Sequence, residues 1–128
     1  MRGFLRCWLP PLAWMGLLFV LSSQPTLPSA PGRWDVLLKK AGHVLAYGVL
    51  AWLYRRALCQ RPGEGRAPAT LRVVSIGLAV AYGLSDEYHQ TFVPGRNGNL
   101  LDVAVDGGGA CGAMLLDWWL ERRQALSR

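Results

Sequence analysis

Four long apolar segments alternate with shorter polar stretches along the chain, and they set its predicted architecture. The segments cover about residues 6–22, 36–54, 73–93 and 100–120. Three of them are near the roughly 20 residues that a helix needs to cross the hydrocarbon of a bilayer. Residues 44–54 are apolar on every side, as expected of a helix in contact with lipid or deeply buried. The pattern predicts an all-α integral membrane protein, a four-helix bundle in a single domain over residues 1–128.

Segment one follows Arg2 and Arg6, and a charged start before an apolar run is also typical of a signal peptide. No small-x-small cleavage site follows the run directly, so we expect a retained helix. Pro10 and Pro11 are expected in its first turn, where the missing N–H groups cost little. Residues 55–72 are predicted to form a flexible basic loop, because they contain several arginines, glycines and prolines.

The distribution of arginines predicts the orientation in the membrane, because Lys and Arg concentrate in cytoplasmic loops. The N-terminus, the loop after segment two and the C-terminus carry most of them: Arg2, Arg6, Arg55, Arg56, Arg61, Arg66, Arg72, Arg122, Arg123 and Arg128. With four spans, all three regions lie on one side. Both termini are therefore predicted to be cytoplasmic.

Composition excludes some classes of function. The net charge is +6, but the arginines flank apolar segments and form no basic patch interleaved with aromatic residues, which argues against a nucleic-acid partner. Cys7, Cys59 and Cys111 have no CxxC spacing and give no metal framework.

Charged and polar residues of three segments fall on the outer side of the predicted bundle: Lys40, His43, Asp86, Glu87, Gln90, Arg96, Asp102 and Asp106. A charge at mid-membrane costs about 2.5–3.5 kcal/mol on insertion scales, so these groups need partners or water. Lysines near the end of a membrane helix can extend their long side chains into water, which would explain why they need no partner. This explanation fits Asp106 poorly, because its side chain is short and lies about two turns into segment four.

Residue spacing supports a site where these side chains converge. Asp102 and Asp106 are four residues apart and share a helix face. Glu87 shares a face with Gln90, and so does Lys40 with His43. Two carboxylates on one face repel each other unless a cation lies between them, and we expect Arg96 to be that cation. Its planar guanidinium could also bind a phosphate or carboxylate of a substrate.

A metal site is another interpretation of these residues, because nitrogen and oxygen ligands are available from His43, Glu87, His89, Asp102 and Asp106. No HExxH or similar spacing occurs, so we predict neither a metal nor another cofactor. Small residues form two pairs of the type that lets helices approach closely, Ala79 with Gly83 and Gly108 with Gly112. We expect both pairs to pack within the chain rather than to form a dimer.

Several strings follow one another along the chain: SSQ at residues 22–24, Lys40 with Gly42 and His43 followed by Ala46 and Tyr47, and DEYHQTFVPGR at residues 86–96 followed by Asp102. Through these strings, and above all the last, the chain resembles the VanZ-like proteins. The resemblance covers nearly the whole chain. One departure is Asp106, where the family often has Asn. The resemblance implies a multi-pass protein of the bacterial plasma membrane, in a family whose founding member is associated with low-level teicoplanin resistance.

Three functions remain open at this point. The first is a protein of the cell envelope whose outer site binds a lipid-linked cell-wall precursor or another anionic headgroup, with Lys40, Asp86, Gln90, Arg96 and Asp106 as binding residues. The second is a membrane enzyme acting on a lipid-linked phosphate, with Glu87, Asp102 and His43 as its catalytic acids and bases. The third is a structural membrane protein. The lipid bilayer is a predicted partner in each case.

Overall fold

The computed structural model describes residues 2–26, 29–59 and 69–127. These residues form four α-helices and no strand: α1 (Arg2–Ser22), α2 (Arg33–Leu58), α3 (Ala69–Gln90) and α4 (Leu100–Leu126). The prediction of an all-α protein with four helices is confirmed. Most of the predicted basic loop, residues 60–68 with Arg61 and Arg66, lies outside the described residues, as do residues 27–28 and Arg128.

The ends of the helices differ from the predicted segments. Arg55 and Arg72 belong to α2 and α3 and not to a loop, because arginine favours the helix and both side chains pair with carboxylates of α4. Helix α3 ends at Gln90, three residues before the predicted end. Pro94 disfavours helical backbone at Val93, and Gly95 supplies the positive φ of 79° that the turn requires.

The two prolines of α1 lie in the interior of the helix, so their expected place in a first turn is wrong. The helix begins at Arg2, about two turns earlier than the prediction requires. Since proline has no N–H, the carbonyl groups of Arg6 and Cys7 lack their usual helical donors. Such prolines are tolerated in membrane helices more readily than in soluble ones.

Helix α2 is the centre of the bundle. It packs against α1, α3 and α4, whereas α1 contacts α2 and α3 but not α4. The core is a column of buried residues between the helices: Leu18, Tyr47, Leu50, Ala51, Tyr54, Ala79, Ala110 and Met114. The column adjoins the polar residues of the bundle, because Tyr47 donates a hydrogen bond to Asp86. Its packing fixes the rotation of each helix that contributes to it.

Small residues bring α2 and α4 into backbone contact. A Cβ atom at Gly109 would overlap the backbone of Val44, and one at Gly48 would lie 3.2 Å from the Gly109 carbonyl oxygen. Ala79 and Gly83 also pack within the bundle, as predicted. Gly108 and Gly112 do not, because both are exposed and a Cβ at either would meet open space. The expected intramolecular packing of that pair is wrong, because α4 turns Gly109 and not Gly108 toward α2.

The surface of the described bundle is unusually apolar. Leu9, Phe19, Leu45 and Leu115 are more than two-fifths exposed, together with many other large apolar side chains. Two helices, Gly3–Ser22 and Arg33–Leu58, are long and apolar enough to cross a membrane by length and composition. Helices α3 and α4 do not meet that criterion over their described residues.

Candidate functional site

A cavity of about 810 Å³ opens between α1, α2, the end of α3 and the turn that precedes α4. Its apolar lining includes Leu18, Leu21, Val36 and Ala46. Its polar lining contains most of the predicted site residues: Lys40, His43, Asp86, Gln90, Arg96 and Asp102. The cavity therefore offers both apolar and charged groups, as an amphipathic ligand requires.

Two pairs of side chains, an ion pair and a hydrogen-bonded pair, join α2 to α4. Lys40 pairs with Asp102, and His43 Nδ1 lies 2.7 Å from Asp106 Oδ1. Residues 40 and 43 on one helix thus meet residues 102 and 106 on the other, so the predicted shared faces are confirmed. Asp106 is only 1 % exposed. Its contact with His43 therefore lies in a nearly dry environment, where a hydrogen bond is stronger than in water.

Asp86 joins α1 and α2 to α3. Its carboxylate accepts hydrogen bonds from Ser22 Oγ at 2.5 Å, from Gln90 Nε2 at 3.2 Å and from Tyr47 Oη at 3.4 Å. These three donors satisfy a buried carboxylate that has no cation beside it among the described residues. Sequence reasoning missed Ser22 and Tyr47 as parts of the site, although both lie in the strings that carry the family resemblance.

Glu87 anchors the turn between α3 and α4. Its Oε2 accepts a hydrogen bond from the Asn99 backbone N–H at 2.7 Å, and Asn99 in turn caps α4 by accepting from the Leu101 N–H. Gly98 is required here, because a Cβ at that position would lie 2.5 Å from the Glu87 carbonyl oxygen. Glu87 Oε1 is buried and has no hydrogen-bond partner among the described residues.

Arg96 does not lie between Asp102 and Asp106, so that expectation is wrong. Its guanidinium donates to Gln90 Oε1 at 3.2 Å and forms no ion pair with a carboxylate in the described part of the chain. Lys40 and His43 already reach the two aspartates from α2, which faces α4 directly. The positive charge of Arg96 therefore lies at the cavity lining, with no carboxylate paired to it among the described residues. His89, one of the possible metal ligands in the sequence, is half-buried and stacks on Phe19 with ring centroids 4.6 Å apart.

A second polar cluster lies at the opposite end of the bundle and was not predicted. Arg72 Nε donates to Asp117 Oδ2 at 3.0 Å and its Nη2 to Glu121 Oε2 at 2.5 Å. Arg55 reaches the same two carboxylates, with Nε 2.6 Å from Asp117 Oδ2. All four side chains are at least three-quarters buried. The sequence signal was the pair Asp117 and Glu121, four residues apart on one face of α4.

The comparisons with known proteins agree with the strings at residues 22–24 and 86–96. The family model described as VanZ/LLP1 matches residues 7–120, which include α2, α3 and most of α1 and α4. They also include the polar cluster, which consists of Lys40, His43, Asp86, Glu87, Gln90, Arg96, Asp102 and Asp106. No curated protein and no solved structure matches the chain. The match covers most of the chain, and the chain therefore belongs to the VanZ/LLP1 family.

Proposed function

We propose that this protein acts at the cell envelope by binding an anionic lipid headgroup, such as that of a lipid-linked cell-wall precursor, in the cavity between α1 and α2. The observation that carries the proposal is the position of Arg96. This guanidinium lines the cavity without a carboxylate partner in the described part of the chain. An arginine with spare donors is suited to bidentate binding of a phosphate.

The shape of the cavity supports a lipid rather than a small soluble anion. Leu18, Leu21 and Val36 line it together with the charged residues, and they can contact an acyl or prenyl chain whose phosphate lies near Arg96. Asn97 and Asn99 also line the cavity and add hydrogen-bonding groups. Lys40 and His43 are already paired with aspartates, so we assign them the role of shaping the site rather than holding the phosphate.

A membrane location is supported by the distribution of polar and apolar groups. Asp86, Glu87 and Asp106 are buried inside the bundle, while leucines cover much of its outside. This is the arrangement that a lipid environment favours, because polar groups within the hydrocarbon turn toward the protein interior. We propose four spans with both termini in the cytoplasm of a bacterial cell. A role in teicoplanin resistance would follow from this topology, because the site would reach the cell-wall precursor at the outer face of the membrane.

The topology predicts that a cysteine introduced at Asn97 reacts with an impermeant maleimide in intact cells. Asn97 is exposed in the turn between α3 and α4, which the proposal places outside. The background carries Cys7→Ser, Cys59→Ser and Cys111→Ser, and the control is Ser127→Cys near the cytoplasmic C-terminus. Labelling of Asn97→Cys only after lysis would reverse the proposed orientation.

The lipid site predicts that Arg96→Ala weakens binding of a polyprenyl phosphate by about 10- to 100-fold. A hydrogen bond to a charged group contributes about 1.5–3 kcal/mol, and each 1.4 kcal/mol corresponds to a factor of about ten in Kd. Binding is measured by titrating the lipid into nanodiscs of phosphatidylcholine that contain the purified protein. Polyprenol without the phosphate should bind wild type and Arg96→Ala equally.

The matched control is Arg33→Ala, which removes an exposed arginine at the start of α2, outside the cavity lining. Its affinity for polyprenyl phosphate should stay within about twofold of wild type, since exposed charges contribute little at ordinary salt. Equal losses in both variants would mean that general positive charge, and not the cavity, attracts the lipid. Unchanged binding by Arg96→Ala would refute the proposed site.

A further inference from the structure

Three side chains from three different helices meet at the inner edge of the polar cluster. His43 comes from α2, Glu87 from α3 and Asp106 from α4, and each offers one donor atom within 4.8 Å of those of the other two. Glu87 is 4 % exposed and Asp106 1 %. The group therefore lies inside the bundle, whereas surface clusters of acidic residues are solvated and need no ligand.

Two oxygen atoms of this group lack a partner. Glu87 Oε1 and Asp106 Oδ2 are buried and accept no hydrogen bond from the described residues, although the other oxygen of each carboxylate does have a partner. A buried polar atom without a partner costs about 1–3 kcal/mol, and more when it carries charge. Such atoms are rare in folded proteins and commonly mark a bound ion or water. A ligand bound by these two carboxylates would remove the cost.

The charge of the surrounding cluster identifies the kind of ligand. Four carboxylates lie close together there: Asp86, Glu87, Asp102 and Asp106. Lys40 pairs with Asp102, whereas the partner of Asp106 is His43, whose imidazole is neutral when it binds a metal. Asp86, Glu87 and Asp106 therefore have no lysine or arginine beside them among the described residues. A cation would both bind the unpartnered oxygens and compensate this excess negative charge. A divalent cation compensates the charge most fully.

We propose that His43, Glu87 and Asp106 bind a divalent first-row transition metal such as Mn²⁺ or Zn²⁺. A ring nitrogen and two carboxylate oxygens form a mixed donor set, which favours these ions over Ca²⁺ and Mg²⁺, whose ligands are almost entirely oxygen. Metal–ligand distances of about 2.0–2.2 Å keep two ligands of one ion within about 4.4 Å of each other. The donor atoms of the three side chains lie within 4.8 Å of one another, so a modest approach of the side chains would bring them onto one ion.

Three protein ligands leave at least one coordination position open, as in catalytic sites rather than structural ones. His43 also lines the cavity, so an exchangeable position can face whatever occupies it. The hydrogen bond that Glu87 Oε2 accepts from Asn99 orients the carboxylate in the way that outer-shell partners of metal ligands do. The sequence predicted no metal because the donors come singly from three helices and form no local motif.

The experiment uses the chain without an affinity tag, purified in detergent and stripped of metal with a chelator, with MnCl₂ or ZnCl₂ alone as the probe. Titration calorimetry should show one ion bound per chain. Glu87→Gln and Asp106→Asn should each weaken binding about 100-fold or more, since structural zinc sites gain about 10–16 kcal/mol from four ligands together. His89→Ala removes the other histidine, outside the cluster, and should bind like wild type.

A spectroscopic measurement distinguishes a lost ligand from a damaged fold. Electron spin echo of the Mn²⁺ form should show coupling to an imidazole nitrogen, and His43→Ala should abolish that coupling while circular dichroism confirms the same helical content. Absence of metal binding by the wild-type chain would overturn the proposal, as would unchanged nitrogen coupling in His43→Ala. No lipid is present, so the outcome is independent of the lipid-binding proposal.

Discussion

Arg72→Met is expected to lower the free energy of unfolding by about 3 kcal/mol. The substitution leaves Arg55 as the remaining cation beside Asp117 and Glu121 among the described residues, in a cluster whose side chains are at least three-quarters buried. Removing one member of a buried ion-pair network typically costs about 3–5 kcal/mol, because the remaining charges stay desolvated. Arg55 retains contact with both carboxylates, which places the expected loss at the lower end.

The measurement is the unfolding of purified protein in detergent, followed by circular dichroism as the denaturant concentration rises. Arg6→Met is the matched control, since Arg6 is exposed and its loss should change stability by less than about 0.5 kcal/mol. Arg72→Lys should fall between the two, because an ammonium keeps the charge but cannot bind two carboxylates with a fixed fork. Equal stability of Arg72→Met and Arg6→Met would show that the cluster contributes nothing to folding.

Gly109→Ala is expected to destabilise the bundle by about 2–3 kcal/mol. A Cβ atom at this position would overlap the backbone of Val44, and backbone cannot rotate aside as a flexible side chain can. Helices α2 and α4 must therefore separate, at the cost of about 1–3 kcal/mol or more that overpacked cores show. The same separation pulls His43 away from Asp106, because both residues lie within one turn of the contact.

Gly108→Ala on the neighbouring residue is the control for helix propensity. Nothing lies within 4 Å of a Cβ there, so alanine should stabilise α4 by up to about 1 kcal/mol. Opposite signs for two adjacent glycine substitutions would identify the backbone contact as the cause. Stabilisation by both would contradict the close approach of α2 and α4. The same unfolding measurement serves both variants.

The family and the four helices could be predicted from the sequence, because both depend on local information. Apolar runs of helical length are visible residue by residue, and the string at residues 86–96 is specific on its own. The shared faces of Lys40 with His43 and of Asp102 with Asp106 follow from the 3.6-residue period of the helix. The structure confirms these shared faces, because Lys40 pairs with Asp102 and His43 with Asp106 between α2 and α4.

The ends of the helices were harder to predict, because they depend on contacts between segments. Arg55 and Arg72 read as loop residues in a basic stretch, yet carboxylates one helix away hold them in α2 and α3. Pro10 and Pro11 marked a helix start in the sequence but lie inside α1. The preference of proline for the first turn of a helix depends only on the local backbone. Here the helix continues on both sides of the prolines.

The sequence by itself determined that the chain is helical, that it carries the family's polar residues and on which face of each helix they lie. The tertiary structure decided which of these residues meet. Lys40 and His43, and not Arg96, reach the aspartates of α4, and His43, Glu87 and Asp106 converge from three helices. The reason is that helix faces follow from local periodicity, whereas the rotation and depth of one helix against another follow from packing, here the contact of Gly109 with Val44.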